Sequence, residues 1–251
     1  MKNTNYKFTK IWYTYSQKYS SVHTFRRVAE LGLPKATPEL YKEYTDLTMN
    51  LLSSDKYLSN RKRFIEEGWV EKTPNFLLKN TINTFNSSID SASLIFAHSI
   101  LDAAAFEYCQ LIAEDSPMSF KEKLSNKKLS LSDISNNSYE DLLKSQLNKF
   151  LEDFERESML KKFELLFYLC KPPGVYEPLE NYKYDNKRIS ELDTLRHDYV
   201  HGVGIVNKLP NGEEDITYLE KTLYFFTALI HDTFGYKIDP NSLIELWKNK
   251  E

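Results

Sequence analysis

The sequence is poor in glycine and proline, which interrupt helices, and in cysteine and histidine. It has 7 glycines, 9 prolines, 2 cysteines and 5 histidines among 251 residues. So few glycines and prolines argue against a sheet protein with many tight turns, and the abundant Leu, Lys, Glu, Phe and Tyr favour helices. We therefore expect an all-α protein.

An excess of charge of one sign is also missing. The 33 Lys and Arg residues nearly balance the 36 Asp and Glu residues, which gives a net charge of -3. This balance creates no overall field that would attract a polyanion. Any contact with nucleic acid must therefore be local.

The chain also lacks the usual marks of export. Cys109 and Cys170 lie in apolar runs, and residues 1–10 contain no apolar stretch before a small-residue cleavage site. The longest apolar run, Ala92 to Ala113, is interrupted by Ser93, His98, Ser99, Asp102 and Glu107. This polarity is too high for an unsupported membrane span and predicts a buried helix. We expect a cytoplasmic protein with no membrane contact.

Four apolar segments predict an up-and-down bundle of four helices. They run from Asp90 to Glu114, from Tyr139 to Cys170 as one long helix or two short ones, from an N-cap at about Asn186 to His201, and from Ile216 to Phe234. Pro172-Pro173-Gly174, Gly202 and Gly235 are placed to end the last three.

The expected division of the chain has three parts. Residues 1–80 form a mostly helical N-terminal extension of unknown role, and residues 81–238 form the bundle with a polar insertion at about 115–138. Residues 239–251 form a short C-terminal helix. The span from Val203 to Asp215 is interpreted as a loop or a small hairpin.

The third helix ends in the string LRHDYVHG, Leu195 to Gly202, which is the most informative part of the chain. Arg196 lies at the border of the predicted core face, which is formed by Ile189, Leu192, Leu195 and Tyr199. A guanidinium in such a shielded position can hold a phosphate through two contacts. His197 and His201 lie one turn apart on the adjoining flank and can exchange protons near neutral pH. Together these side chains suit phosphodiester cleavage.

The spacing within this string raises a geometric difficulty. Arg196 and His201 are about 140° apart on an ideal helix and cannot easily face one phosphate. Either the helix unwinds at Gly202, or another chain completes the site. A symmetric dimer would bring two arginines and two histidines into one cleft.

The string from Arg196 to His201 resembles the R-x-x-x-x-H signature of the HEPN superfamily, in which Asn, His or Asp usually follows the arginine, as His197 does here. The string SLIFAHSILDAAAFEYCQL at residues 93–111 is similar to the first helix of such domains. The resemblance covers about residues 85–235 and leaves residues 1–80 unexplained. It implies a four-helix bundle that dimerises around the motif.

In many HEPN members the bundle is an endoribonuclease that needs no metal or other cofactor. The resemblance implies that the RNA 2′-hydroxyl attacks the adjacent phosphate and leaves a 2′,3′-cyclic phosphate and a 5′-hydroxyl. On this chain His201 would be the base or acid, Arg196 would stabilise the phosphorane charge, and His197 would orient the pair or contact phosphate.

The resemblance also bears on partners. HEPN members often act as toxins or phage-defence effectors that are restrained by an antitoxin or another partner protein. Members that a nucleotidyltransferase antitoxin silences carry Tyr where this chain has Val203, so that particular partnership is not expected. Other members have lost catalysis and serve as binding or dimerisation modules.

A second interpretation uses the histidines as metal ligands. His197 and His201 form an H-x-x-x-H pair, and His98 would supply a third ligand, an arrangement that resembles DinB-like metal hydrolase bundles. The plainer interpretation makes His98 a core or interface histidine whose partner is Asp102, one turn away. Asp102 and His98 could also support the HEPN cleft.

The remaining candidates are basic or isolated residues. Lys187 and Arg188 lie about two turns before Arg196 on the same helix, and among the basic clusters they are the best placed to contact RNA. His23 and His231 have no visible partners, which predicts surface or packing roles.

Overall fold

The computed structural model describes residues 2–124, 138–170, 182–201 and 212–248. Within these ranges every element is helical and no strand occurs, which confirms the all-α prediction. The helices are α1 (Lys2–Leu52), α2 (Asp55–Leu58), α3 (Arg61–Glu66), α4 (Trp69–Asp115), α5 (Lys121–Leu124), α6 (Tyr139–Glu155), α7 (Met159–Cys170), α8 (Asn186–His201), α9 (Gly212–Phe234) and α10 (Pro240–Lys248). A 3-10 turn, Pro117–Phe120, precedes α5.

Helix α4 is the centre of the bundle. Its second half, from Leu94 to Ala113, is largely buried and packs against α1, α7, α8 and α9. The Tyr108 hydroxyl lies 2.7 Å from Thr227 Oγ1 on α9, so a buried polar group is satisfied inside the core. These contacts arrange the other helices around α4.

The first half of α1 belongs to the same core. Tyr19 donates a hydrogen bond of 2.8 Å to the Ala97 carbonyl oxygen. The α1 side chains that enter the core are Phe8, Ile11, Tyr15, Tyr19 and Val22. The predicted boundary at residue 80 falls inside α4, which runs unbroken from Trp69 to Asp115. Residues 2–25 are therefore part of the bundle.

Beyond the bundle, α1 and α4 continue side by side in opposite directions. We call residues 26–89 the arm; it comprises the second half of α1, the short helices α2 and α3, and the first part of α4. Tyr44 and Thr81 join its two long helices through their hydroxyls at 2.7 Å. From residue 26 to residue 52 only Thr48 and Leu52 are buried. The arm thus has almost no interior.

The remaining bounds refine the sequence predictions. The second apolar segment forms two helices, α6 and α7. The predicted N-cap at Asn186 is wrong, because Asp185 Oδ1 accepts the hydrogen bond from the Lys187 backbone N–H at 2.8 Å. Helix α9 begins at Gly212, four residues before the predicted start, and Gly235 follows its end with φ of +70°. The predicted stops at residues 172–174 and Gly202, and most of the 203–215 span, lie outside the described residues.

Helix α4 also has the composition of a membrane span. Of the described helices it alone contains an 18-residue window apolar enough to cross a membrane, with mean hydropathy 1.3. Core helices of soluble bundles have the same composition, and 44% of this window is buried inside the fold. The length and hydropathy of α4 are thus weak evidence for a membrane span.

Candidate functional site

Helix α8 lies against α4 through the face that its sequence predicts. Ile189 and Leu192 are buried, and Leu195 and Tyr199 are partly buried against the core. His201 is the last residue of α8, so the helix remains regular through the whole motif. The predicted unwinding at Gly202, one of the two solutions to the 140° separation, falls on a residue outside the described ranges.

Arg196 lies at the border of the core. Its side chain is 31% exposed, and Nη2 lies 3.4 Å from Asp193 Oδ1, one turn earlier on α8. Its Nε atom is buried without a hydrogen-bond partner. One side of the guanidinium is therefore fixed by Asp193, and the partial exposure leaves it open to a ligand.

His98 on α4 contacts the same carboxylate from the core side. Its side chain is only 5% exposed, and Nε2 lies 2.9 Å from Asp193 Oδ1, an ion-pair distance without the alignment of a good hydrogen bond. Its proximity, helped by Arg196, holds the pKa of Asp193 below its ordinary value, against the opposing effect of burial. The two helices thus share a cluster of His98, Asp193 and Arg196.

His197 and His201 lie on the exposed flank of α8. Their ring centroids are 4.3 Å apart and their planes are inclined by 50°. Both side chains are exposed, whereas Arg196 faces the core border. The structure therefore brings the two histidines together but leaves them on a different side of the helix from the arginine.

The predicted pairing of His98 with Asp102 is wrong. Lys162 Nζ on α7 lies 2.9 Å from both carboxylate oxygens of Asp102. Lys162 is buried, and Asp102 is its ion-pair partner inside the bundle. Asp102 therefore links α4 to α7, and Asp193 takes the place next to His98. Sequence reasoning missed Asp193, although an acidic residue three positions before the motif arginine is a visible signal.

The two predicted RNA-contacting residues have different environments. Arg188 forms ion pairs with Glu191, at 3.4 Å, and with the buried carboxylate of Asp215 on α9. Its guanidinium therefore joins α8 to α9, which argues against the predicted RNA contact. Lys187 is exposed on α8, and its predicted RNA contact stays a prediction.

A second polar cluster lies where the arm leaves the bundle. Arg26 on α1 forms an ion pair with Asp90 on α4, and a Cβ atom on Gly212 would overlap both side chains. Tyr199 lies in the same region; burial, together with the nearby charges of Asp90 and Asp215, raises the pKa of its phenol. The C-terminal end of α8 is therefore next to the base of the arm.

The metal-site interpretation finds no support in the described ranges. Among these residues no group of three or more His, Cys, Asp and Glu side chains is placed to hold a metal ion. His98 is buried beside Asp193, while His197 and His201 are exposed. The three histidines of the DinB-like alternative are thus not brought together.

The two remaining histidines have carboxylate neighbours, and both cysteines are buried. The expectation that His23 and His231 lack partners is wrong, because their ring nitrogens lie 3.1 Å from Glu220 Oε2 and 2.7 Å from Asp232 Oδ1. Cys109 and Cys170 are buried free thiols, and burial raises the pKa of Cys170 to about 12.

No family model, no curated protein and no solved structure matches the chain in comparisons with known proteins.

Proposed function

We propose that the protein is a metal-independent endoribonuclease of the HEPN type, acting in the cytoplasm as a toxin or a phage-defence effector. The observation that carries the proposal is the end of α8, where Arg196 is fixed at the core border by Asp193 and two exposed imidazoles follow it. This combination offers a permanent positive charge for a phosphate and groups that exchange protons near neutral pH.

The chemistry assigns one role to each side chain. The RNA 2′-oxygen attacks the adjacent phosphorus and its proton passes to a neutral imidazole; the bond to the 5′-oxygen breaks, and that oxygen takes a proton from an imidazolium. His201 serves as the base or acid, and His197 orients it or contacts phosphate. Arg196 stabilises the charge that builds up on the phosphorane. The products are a 2′,3′-cyclic phosphate and a 5′-hydroxyl.

The proposal includes a homodimer formed around the motif. Because α8 is regular through His201, about 140° separates that histidine from Arg196 in one chain. Two α8 helices related by a two-fold axis would place the histidine of one copy near the arginine of the other. The active cleft would then be shared between the two chains.

The test is cleavage of RNA by the purified chain in EDTA. We expect the parent to cut RNA and to leave 2′,3′-cyclic phosphates, and we expect Arg196→Ala and His201→Ala each to lose about a hundredfold or more in rate. His231→Ala, an exposed histidine near the C-terminal end of α9, is the matched control and should keep the parent rate. A substrate with deoxyribose at the cut position should resist cleavage.

The same experiment decides against the proposal if the parent cuts no RNA, or if both variants cut as fast as the parent. RNA binding without cleavage would assign the chain to the non-catalytic binding modules. Expression in cells gives a second readout, because only the cleaving parent should arrest growth.

A further inference from the structure

Exposed apolar side chains are concentrated on the arm and its base. On α1 they include Phe25, Leu47 and Leu51, which are 48%, 52% and 53% exposed. At about 100° per residue these three lie within about 80° of one another around the helix, with Ala36 between them. We call Phe25, Ala36, Leu47 and Leu51 the α1 stripe. Phe76 and Phe85 add exposed aromatic surface on α4.

The arm cannot stabilise itself well. Two helices side by side enclose no interior, and between residues 26 and 52 only Thr48 and Leu52 are buried. Pro34 and Pro38 lie inside α1, and a proline in a helix interior costs about 3 kcal/mol. A long helix with such interruptions depends on packing rather than on intrinsic propensity. The arm therefore needs a covering surface.

The nearly balanced charge of the arm favours a protein, rather than RNA, as the molecule that packs on its exposed face. Residues 26–89 contain 10 Lys and Arg and 8 Asp and Glu residues. A nearly neutral, apolar surface is not one that RNA phosphates would be drawn to, but it is typical of helix–helix contacts between proteins.

The size and position of the arm limit what the covering protein can be. The α1 part of the arm spans 27 residues, about 40 Å, and two adjacent helices are about 20 Å wide, so one face of the arm offers about 800 Å². This is the area that one partner contributes to a standard stable interface. The base of the arm lies beside Tyr199, two residues before His201, so a chain that covers the arm also reaches the end of α8.

We propose that the covering surface is a second copy of this chain, whose own arm packs along the α1 stripe. The same stripe serves on both copies, so one two-fold axis closes the assembly and leaves no unpaired stripe. The inference goes beyond the proposed function, because it concerns the arm and does not depend on RNA cleavage.

The test is the solution mass of the full chain by light scattering. At micromolar concentration we expect the parent at twice the chain mass of 29.5 kDa and the double variant Leu47→Glu/Leu51→Glu at 29.5 kDa, with unchanged helicity by circular dichroism. Leu31→Glu is the matched control and should remain dimeric. Leu31 is 54% exposed on the same helix but lies about 160° around it from both leucines.

A parent that has the mass of one chain, or a double variant that remains dimeric, would overturn the inference. In the second case the dimer contact lies elsewhere, and the proposed pairing at α8 is unaffected.

Hydrogen exchange of the parent supplies a readout without substitution. Arm amides should exchange more slowly as concentration rises from nanomolar to micromolar, and exchange independent of concentration would also refute the contact.

Discussion

Asp193 joins the motif arginine to the bundle core. Its carboxylate lies within ion-pair distance of His98 on one side and of Arg196 on the other. A carboxylate held between an imidazole and a guanidinium limits the orientations of a long arginine side chain, so the arginine would lose less conformational freedom on binding the proposed phosphate. The effect of Asp193 should therefore be visible in stability as well as in RNA cleavage.

We expect Asp193→Asn to lower the free energy of unfolding by about 1–3 kcal/mol near pH 7, because it leaves His98 and Arg196 without their anion. The pKa of Asp193 is lowered in the folded chain. Its stabilising contribution is thus fully present above the pKa of the unfolded chain and is lost as pH falls through the lower folded value. Urea denaturation at several pH values measures both effects.

The control for this prediction is Asp198→Asn, the same substitution five residues later on α8, about 140° around the helix from Asp193. It should change stability little at any pH. Equal stability of Asp193→Asn and the parent near pH 7 would contradict the assigned role. So would a difference between them that persists unchanged into acid, where the Asp193 carboxyl is protonated.

The end of α8, the start of α9 and the base of the arm meet at Gly212. Its missing side chain lets α9 approach the Arg26–Asp90 ion pair, since an added Cβ would overlap both partners. We expect Gly212→Ala to destabilise the chain by about 1–3 kcal/mol, measured by thermal or urea unfolding, because the overlap must be relieved by moving a largely buried guanidinium.

A double-variant cycle separates this overlap from a simple change in helix propensity. In an Arg26→Ala background the cost of Gly212→Ala should shrink, since most of the overlapping atoms are gone. A cost that is the same in both backgrounds would show that the Gly212 effect does not come from the ion pair.

The helices that could be predicted are those in which local signals agree. The bounds of α8 follow from its apolar spacing, and those of α9 were nearly right for the same reason. Helix α1 could not be predicted with its bounds, because Gly32, Pro34 and Pro38 are ordinary signs of a helix end. The first part of α4 is rich in Asn, Thr and Ser, so its continuation from residue 90 back to Trp69 has no amphipathic signal.

Part of the candidate site could likewise be predicted from the sequence, and part could not. The border position of Arg196 and the paired histidines depend on spacing along one helix, which a sequence displays directly. The choice of Asp193 over Asp102 as the neighbour of His98 depends on how α8 and α7 dock on α4. The spacing of Asp193 and Arg196 was visible in the sequence, but contacts between distant segments carry no local pattern, so the contact of Asp193 with His98 was accessible only from the fold.

The whole molecule has two regions with very different burial. The bundle buries a continuous core to which α1, α4, α7, α8 and α9 all contribute, while the arm buries almost nothing. The first 25 residues bury apolar side chains in the core, whereas the adjoining arm buries almost none. A division of the chain at residue 80 would place both in one extension, although only the first is stabilised by burial.

We therefore expect the two parts of the N-terminal region to respond in opposite ways to deletion. Removing residues 2–25 takes Phe8, Tyr15 and Tyr19 out of the core and should abolish the cooperative thermal transition seen by circular dichroism. Replacing residues 29–87 by a flexible linker of about six glycines and serines should keep that transition, because the helix axes at Arg26 and Asp90 are only about 10 Å apart.

A cooperative transition in the first variant would show that residues 2–25 are dispensable, as expected of an appended extension. Its absence in the second would show that the arm, despite its exposed surface, is required for the bundle to fold.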